Sequence, residues 1–164
     1  MKIKSLFFST IAAIVILLVS CSSFCNKGSN DKKADFSNLQ EKTWQLIKVE
    51  RPDKNIELDR NKMNTMHQEN MFTLIFRNNN ISGKGFPNNY TGQITNQNGE
   101  KISFSLIAST RMALLTDTEN LLLQEDEYFQ LLQKTTSWEI KDNNLILYTV
   151  DNANGKSKLI YFSK

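Results

Sequence analysis

The polar residues that could carry chemistry are few and lie far apart along the chain. Arg111 and Glu125 form the most informative pair, because Glu125 falls among the apolar positions of a helical pattern that Arg111 shortly precedes. A guanidinium can bind a carboxylate through two hydrogen bonds, and removing one partner of a buried pair costs several kcal/mol. We therefore predict a structural ion pair between Arg111 and Glu125, with a site for an anionic ligand as the alternative.

Other residues resemble parts of known binding or catalytic motifs, but the other residues that each motif requires are not present at the right spacing. Gly83-Lys84-Gly85 is similar to a phosphate cradle, yet a Walker loop continues into a helix, and here Pro87 leads toward a strand. His67 has no Ser, Cys or carboxylate spaced to form a recognisable triad. The carboxylates of residues 119–127 lie on one predicted helix, whereas hydrolysis by paired carboxylates needs two that face each other across a cleft. We predict no catalytic residue, no metal site and no cofactor.

The first residues have the pattern of a bacterial lipoprotein signal. Two lysines precede an apolar run from Leu6 to Val19, as in the charged and apolar regions of a secretory signal. Leu18-Val19-Ser20-Cys21 resembles a lipobox, in which cysteine directly follows the cleavage site. We predict that residues 1–20 are a signal peptide and that Cys21 becomes an acylated first residue. A retained membrane helix is the competing interpretation.

Acylation would determine where the protein resides. Each buried methylene of an acyl chain adds roughly 0.8 kcal/mol of membrane affinity, so two or three chains on Cys21 give a stable anchor. We predict a location in the cell envelope, at the outer membrane or the surface rather than the inner membrane. Residues 21–35 are polar and are expected to form a flexible tether, and residues 36–164 the folded domain. Cys25 would then be a leftover thiol.

The charge balance argues against nucleic acid as a partner. The chain has 20 basic and 17 acidic residues. Lys2 and Lys4 lie in the predicted signal, so 18 basic and 17 acidic residues remain in the mature part. A nucleic-acid-binding domain of this size usually carries a clear basic excess. We expect the membrane and an unidentified envelope protein or component to be the partners.

The hydrophobic pattern of the domain is mostly that of strands. A period of two, typical of half-buried antiparallel strands, recurs in residues 43–49, 72–76, 101–106, 137–140, 144–150 and 158–162. Asn98-Gly99, Asp142-Asn143 and Asn154-Gly155 have the chemistry of hairpin turns. Residues 51–70 show neither period, and we expect a long loop there.

One segment breaks this pattern. Thr116-Asp117-Thr118-Glu119 matches a capping box, and apolar residues then recur with helical spacing. We predict a single amphipathic helix over residues 118–134. Many strands and one helix predict an α+β fold, in which a curved antiparallel β-sheet forms a partly open barrel around the apolar face of the helix.

Several motifs follow one another along residues 40–163. They are Trp44-Gln45-Leu46, Ile81-Ser82-Gly83, Asn88-Asn89-Tyr90-Thr91-Gly92, Thr110-Arg111-Met112-Ala113, a helix with Glu125 and Tyr128, and Trp138-Glu139-Ile140 with Leu145-Ile146-Leu147. In this order and spacing they resemble the HslJ-like META domain family. The motif residues that we expect to determine the fold are Trp44, Gly83, Asn88, Tyr90, Gly92, Thr110 and Met112.

The resemblance implies an envelope protein without established catalytic activity, in a family linked to stress or antibiotic tolerance. Relatives often carry cysteines where this chain has Pro87 and Leu114, so a disulfide there is excluded. We expect a lipid-anchored, non-enzymatic protein that binds a protein or envelope component in envelope maintenance or stress response. The alternative is a carrier of small apolar ligands, since a curved sheet can enclose a cavity. A hydrolase or a protease inhibitor has no supporting residue constellation.

Overall fold

Ten strands dominate the computed structural model, which describes residues 35–112, 123–150 and 155–163. In chain order the strands are β1 (Thr43–Glu50), β2 (Asn55–Glu57), β3 (Thr73–Arg77), β4 (Asn80–Lys84), β5 (Asn89–Asn98), β6 (Lys101–Phe104), β7 (Ala108–Ser109), β8 (Thr135–Lys141), β9 (Asn144–Val150) and β10 (Lys156–Ser163). The predicted period-two segments overlap β1, β3, β6, β8, β9 and β10. The predicted signal peptide, Cys21 and nearly all of the tether lie outside the described residues.

Eight of these strands close into a barrel. They pair in the order β10, β9, β8, β6, β5, β4, β3, β1, and β1 pairs again with β10. The pairings between these strands are antiparallel, whereas β2 adds to β1 and β7 adds to β5. The prediction of a curved antiparallel sheet is confirmed, but the barrel is closed rather than partly open. Closure pairs β1 with the last strand and so protects an edge that would otherwise be exposed.

Side chains fill the interior of this barrel. The largest fully buried ones are Trp138, Tyr128, Tyr161 and Phe76. Along β5 the inward positions are Tyr90, Gly92 and Ile94, which alternate with exposed residues, as expected for a strand with one face on the core. An eight-stranded barrel is just wide enough for such side chains to occupy its centre. The interior is therefore a packed core.

Within the described residues two α-helices and a 3-10 helix accompany the strands, where the sequence predicted a single helix. The 3-10 helix spans Phe36–Leu39, α1 spans Arg60–Thr65 and α2 spans Glu125–Gln133. The predicted loop over residues 51–70 is wrong, because it contains β2 and α1; their short lengths give too few residues for a period to show. The predicted helix over residues 118–134 is α2 in its described part, and the capping box lies outside the described residues.

The longer helix, α2, packs one face on the barrel core. Tyr128, Phe129, Leu131 and Leu132 are its buried residues. Each large apolar side chain so buried stabilises the fold by about 1.5–3 kcal/mol. An ion pair from Arg51, just after β1, to Glu127 holds the same helix from the side. In the described ranges, no helix has the length and apolar character needed to cross a membrane.

Candidate functional site

A partly buried polar network joins the start of α2 to the start of β5. Glu125 Oε1 accepts a hydrogen bond from the backbone N–H of Asn88 at 2.8 Å, and Glu125 Oε2 accepts one from Asn88 Nδ2 at 2.6 Å. Asn88 Oδ1 in turn accepts from Thr110 Oγ1 at 2.9 Å and from the backbone N–H of Met112 at 2.7 Å. The buried Asn88 side chain therefore connects three segments of the chain.

This network corrects the predicted ion pair. Both carboxylate oxygens of Glu125 are bound by Asn88, and in the described part of the chain no ion pair joins Glu125 to Arg111. Thr110 and Met112 flank Arg111 and both bind Asn88, whereas Arg111 itself is exposed. Glu125 is thus a structural residue, as predicted, but amide donors take the place expected for the guanidinium.

Three tyrosine hydroxyls meet inside the barrel. Tyr90 and Tyr128 both donate to the backbone carbonyl of Thr73, at 2.7 Å and 3.2 Å, and Tyr161 donates to the hydroxyl oxygen of Tyr128 at 3.3 Å. These residues come from β5, α2 and β10, and Thr73 begins β3. Buried hydroxyls need such partners, because an unsatisfied one costs about 1–3 kcal/mol. The cluster therefore fixes the helix relative to three strands.

A half-buried arginine lies beside the tyrosines. Arg60 Nε donates to the carbonyl of Leu46 at 2.7 Å, and its terminal nitrogens donate to the carbonyls of Met71 at 2.8 Å and Phe72 at 3.2 Å. Burial lowers the pKa of the Arg60 guanidinium to about 10. This role could not be predicted from the sequence, since Arg60 stands in a polar stretch without periodicity. Arg60 attaches the start of α1 to the middle of β1 and to the two residues that precede β3.

The tyrosine cluster predicts a loss of stability in alkali. Burial raises the pKa of Tyr128 to about 12 from an ordinary value of 10, and raises the pKa of Tyr90 and of Tyr161 well above 10. Above pH 10 the unfolded tyrosines lose protons that the folded ones retain, so the free energy of unfolding falls as the pH rises, by up to about 1.4 kcal/mol per pH unit for each tyrosine. Below pH 10 these groups contribute no pH dependence.

Urea unfolding between pH 8 and pH 11.5 would measure this slope. In Tyr128→Phe we expect the slope above pH 10 to be smaller than in the wild type, because one of the titrating groups is gone. An equal slope in the two proteins would contradict the assignment to Tyr128.

A groove of about 750 Å³ opens at one end of the barrel. Its walls come from the 3-10 helix, the start of β1, the turn between β8 and β9, and the end of β10. Strand pairing brings these segments together, because Trp44 lies opposite Ser163 and Phe162 opposite Asn144. Lys42 Nζ lies 5.7 Å from the centre of the Trp44 ring. No residue of the groove was predicted as a ligand-binding residue.

Comparison with known proteins identifies the family. Residues 37–161 match the family model of the META domain. The chain belongs to the META domain family. The solved structures that resemble it include an NMR structure of a protein from Burkholderia xenovorans, which is 19% identical, with a TM-score of 0.53, over 78% of this chain and 85% of that chain. At this identity the likeness shows the fold alone. No curated protein sequence matches the chain.

The META motif residues in the middle of the chain lie on the contacts described above. Asn88 and Thr110 belong to the network at Glu125, and Tyr90 belongs to the tyrosine cluster. Gly83 lies opposite Tyr90 in the pairing of β4 with β5. Most of these motif residues therefore serve packing and hydrogen bonding within the domain.

The remaining motif residues differ in exposure. Trp44 is buried, and its indole N–H donates to the carbonyl of Leu39 at 3.1 Å. Gly92 is buried on β5 opposite Ile81. The Met112 side chain is 60% exposed, and only its backbone N–H binds Asn88. His67, which the sequence offered as a possible catalytic residue, is exposed in the turn after α1.

Proposed function

We propose that the protein is a lipid-anchored envelope protein whose META domain acts as a binding module rather than as an enzyme. The feature that carries the proposal is the lipobox-like sequence ending at Cys21, which follows a charged and then an apolar segment. Family membership supports an envelope-associated role. We place the anchor at the outer membrane or the surface, and the role in envelope maintenance or stress response.

The internal polar groups of the domain make structural hydrogen bonds, which supports a binding role over an enzymatic one. The carboxylate of Glu125 and the hydroxyls of Tyr90 and Tyr128 are engaged in hydrogen bonds that hold helix and strands together. The barrel interior is filled by large side chains, which counts against the alternative of an apolar-ligand carrier. A binding partner would then be recognised on the outside of the barrel, and the groove at its end is the site that we assign to this role.

The anchor is tested by labelling growing bacteria with an alkyne analogue of palmitate. We expect the wild-type protein to take up the label and to partition with membranes, and the Cys21→Ser variant to lose both properties. Cys25→Ser is the matched control, because it removes the neighbouring thiol and leaves the predicted cleavage site unchanged. Retention of label by Cys21→Ser, or its loss in Cys25→Ser, would show that the acylated residue has been assigned wrongly.

The binding role is tested by crosslinking in intact cells, with wild type and Cys21→Ser compared. A binding module on an anchored protein should give a defined crosslinked complex in the wild type that is reduced when the anchor is lost. Equal recovery of the same complexes from both proteins would argue against a role that depends on the envelope.

A further inference from the structure

We propose that the groove binds a neutral saccharide chain of the cell envelope. This inference rests on the proposed function, because it assigns a ligand class to the same binding module. It is carried by the size of the groove, the balance of its charges, and the combination of amide side chains with an exposed aromatic ring.

The groove has the size of a small-ligand site. Its volume of about 750 Å³ falls within the range of roughly 300–1,000 Å³ that is usual for ligand pockets. The paired ends of four strands, β1, β10, β9 and β8, contribute to its walls, so the backbone around it is held by the barrel. A groove that is open on one side suits a chain that enters and leaves it, rather than an enclosed ligand.

The polar lining is rich in groups that both donate and accept hydrogen bonds. Asn38, Asn143 and Asn144 each offer an amide with two donor hydrogens and an acceptor oxygen. A sugar hydroxyl is likewise both a donor and an acceptor, so neighbouring hydroxyls can pair with such amides. Lys42 and Asp142 contribute one charge of each sign. Their charges cancel, which favours a neutral ligand over a phosphate or a polyamine.

The apolar lining fits the C–H face of a sugar ring. Phe162 lies on the outer face of β10 with 37% of its surface exposed, and Ile140 of β8 also lines the groove. The Trp44 ring is only 2% exposed and supports the wall from beneath. An aromatic ring that is open to solvent at the mouth of a polar groove can stack on such a face.

The turn that carries two of the polar residues has a defined backbone conformation. Asp142 and Asn143 both have positive φ angles, of 51° and 62°, which is the arrangement of a two-residue hairpin turn between twisted strands. The strands on either side of the turn, β8 and β9, are paired, and Lys141 opposite Asn144 is the pair next to the turn. A backbone held in one conformation in this way has little further freedom to lose when its residues bind a ligand, which favours affinity.

Titration calorimetry on the full-length lipidated protein tests the proposal. The protein is kept in micelles of lauryldimethylamine oxide, because sugar-based detergents would compete for the groove. The probes are the tetramers of N-acetylglucosamine and of glucose, with inorganic phosphate as the anionic comparison. We expect at least one tetramer to bind and phosphate to give no signal at about 10 mM, a concentration at which even millimolar affinity is detected.

Two variants connect binding to the groove. Phe162→Ala removes the exposed ring, and Asn143→Gly removes one amide while keeping a residue that adopts positive φ without strain. Each should weaken tetramer binding by about tenfold, which corresponds to about 1.4 kcal/mol. The matched controls lie outside the lining: Leu106→Ala removes another exposed apolar side chain, and Asn78→Gly alters another asparagine with positive φ. Both controls should bind like the wild type.

The proposal is overturned if neither tetramer binds, if phosphate binds instead, or if the groove variants bind as well as the controls do. Acyl labelling at Cys21 is read out separately. Absence of label from the wild-type protein would refute the anchor without affecting the titration, and a failed titration would refute the saccharide site while the anchor remained.

Discussion

Replacing Gly83 with alanine is expected to lower the free energy of unfolding by more than about 3 kcal/mol, a cost typical of severe overpacking. A Cβ atom on Gly83 would overlap the backbone carbonyl oxygen of Thr73, and it would lie 2.8 Å from the carbonyl carbon and 2.9 Å from Tyr90 Cε1. The atoms nearest to this Cβ belong to the backbone of Thr73, which cannot move easily because β3 is paired with both β1 and β4. Relief would require two strands to separate.

The same carbonyl makes the cost larger. The oxygen of Thr73 accepts hydrogen bonds from both Tyr90 and Tyr128, so moving it disturbs the contact between α2 and the barrel. Gly92→Ala is the matched control, because the nearest atoms to its Cβ are side-chain carbons of Ile107 and Ile81, at 3.1 Å and 3.4 Å. Those side chains can adjust, so we expect a cost of about 1 kcal/mol there.

Urea unfolding followed by circular dichroism compares the two glycine variants of the full chain. If Gly83→Ala proves as mild as Gly92→Ala, then β3 and β4 do not approach each other as closely as described. If Gly83→Ala yields no folded protein while Gly92→Ala folds, the result is the extreme of the expected difference and agrees with an overlap at the Thr73 carbonyl.

The strands could be predicted from the sequence because their signal is local. Period-two alternation and the Asp142-Asn143 turn locate β8, β9 and their hairpin to within a few residues. Closure of the barrel could not be predicted in the same way. It depends on pairing between β1 and β10, where Trp44 meets Ser163 from the other end of the domain. Nothing in either strand taken alone specifies that partner.

The candidate sites also include some features that have a local signal in the sequence and others that depend on contacts between distant segments. Glu125 could be predicted as structural, because a carboxylate among apolar helix positions must be bound by something. Its partner could not be inferred, since helical spacing identifies a buried face but not the distant residue that meets it. Asn88 was singled out only as a motif residue. The groove was not predicted at all, because each of its walls is an ordinary strand end or turn until the barrel is assembled.

Removing either side of the Asn88–Glu125 contact is expected to cost about 2–4 kcal/mol. Glu125→Ala leaves the buried Asn88 amide and backbone N–H without their acceptor, and Asn88→Ala leaves the carboxylate without its side-chain donor and also removes the acceptor for Thr110 and Met112. Hydrogen bonds to charged groups contribute about 1.5–3 kcal/mol, and leaving a buried polar group unsatisfied adds to the loss. Glu125→Gln keeps the size of the side chain and should have an intermediate cost.

A double-mutant cycle distinguishes this contact from the ion pair that the sequence suggested. Asn88→Ala and Glu125→Ala share an interaction, so the double variant should be more stable than the sum of the single effects implies, by about 1–3 kcal/mol. Arg111→Ala should change the free energy of unfolding by no more than about 0.5 kcal/mol, because Arg111 is exposed. Additivity between Asn88→Ala and Glu125→Ala, together with strong coupling between Arg111→Ala and Glu125→Ala, would restore the ion pair. Coupling confined to Asn88 would show that an asparagine rather than an arginine holds the helix to the barrel.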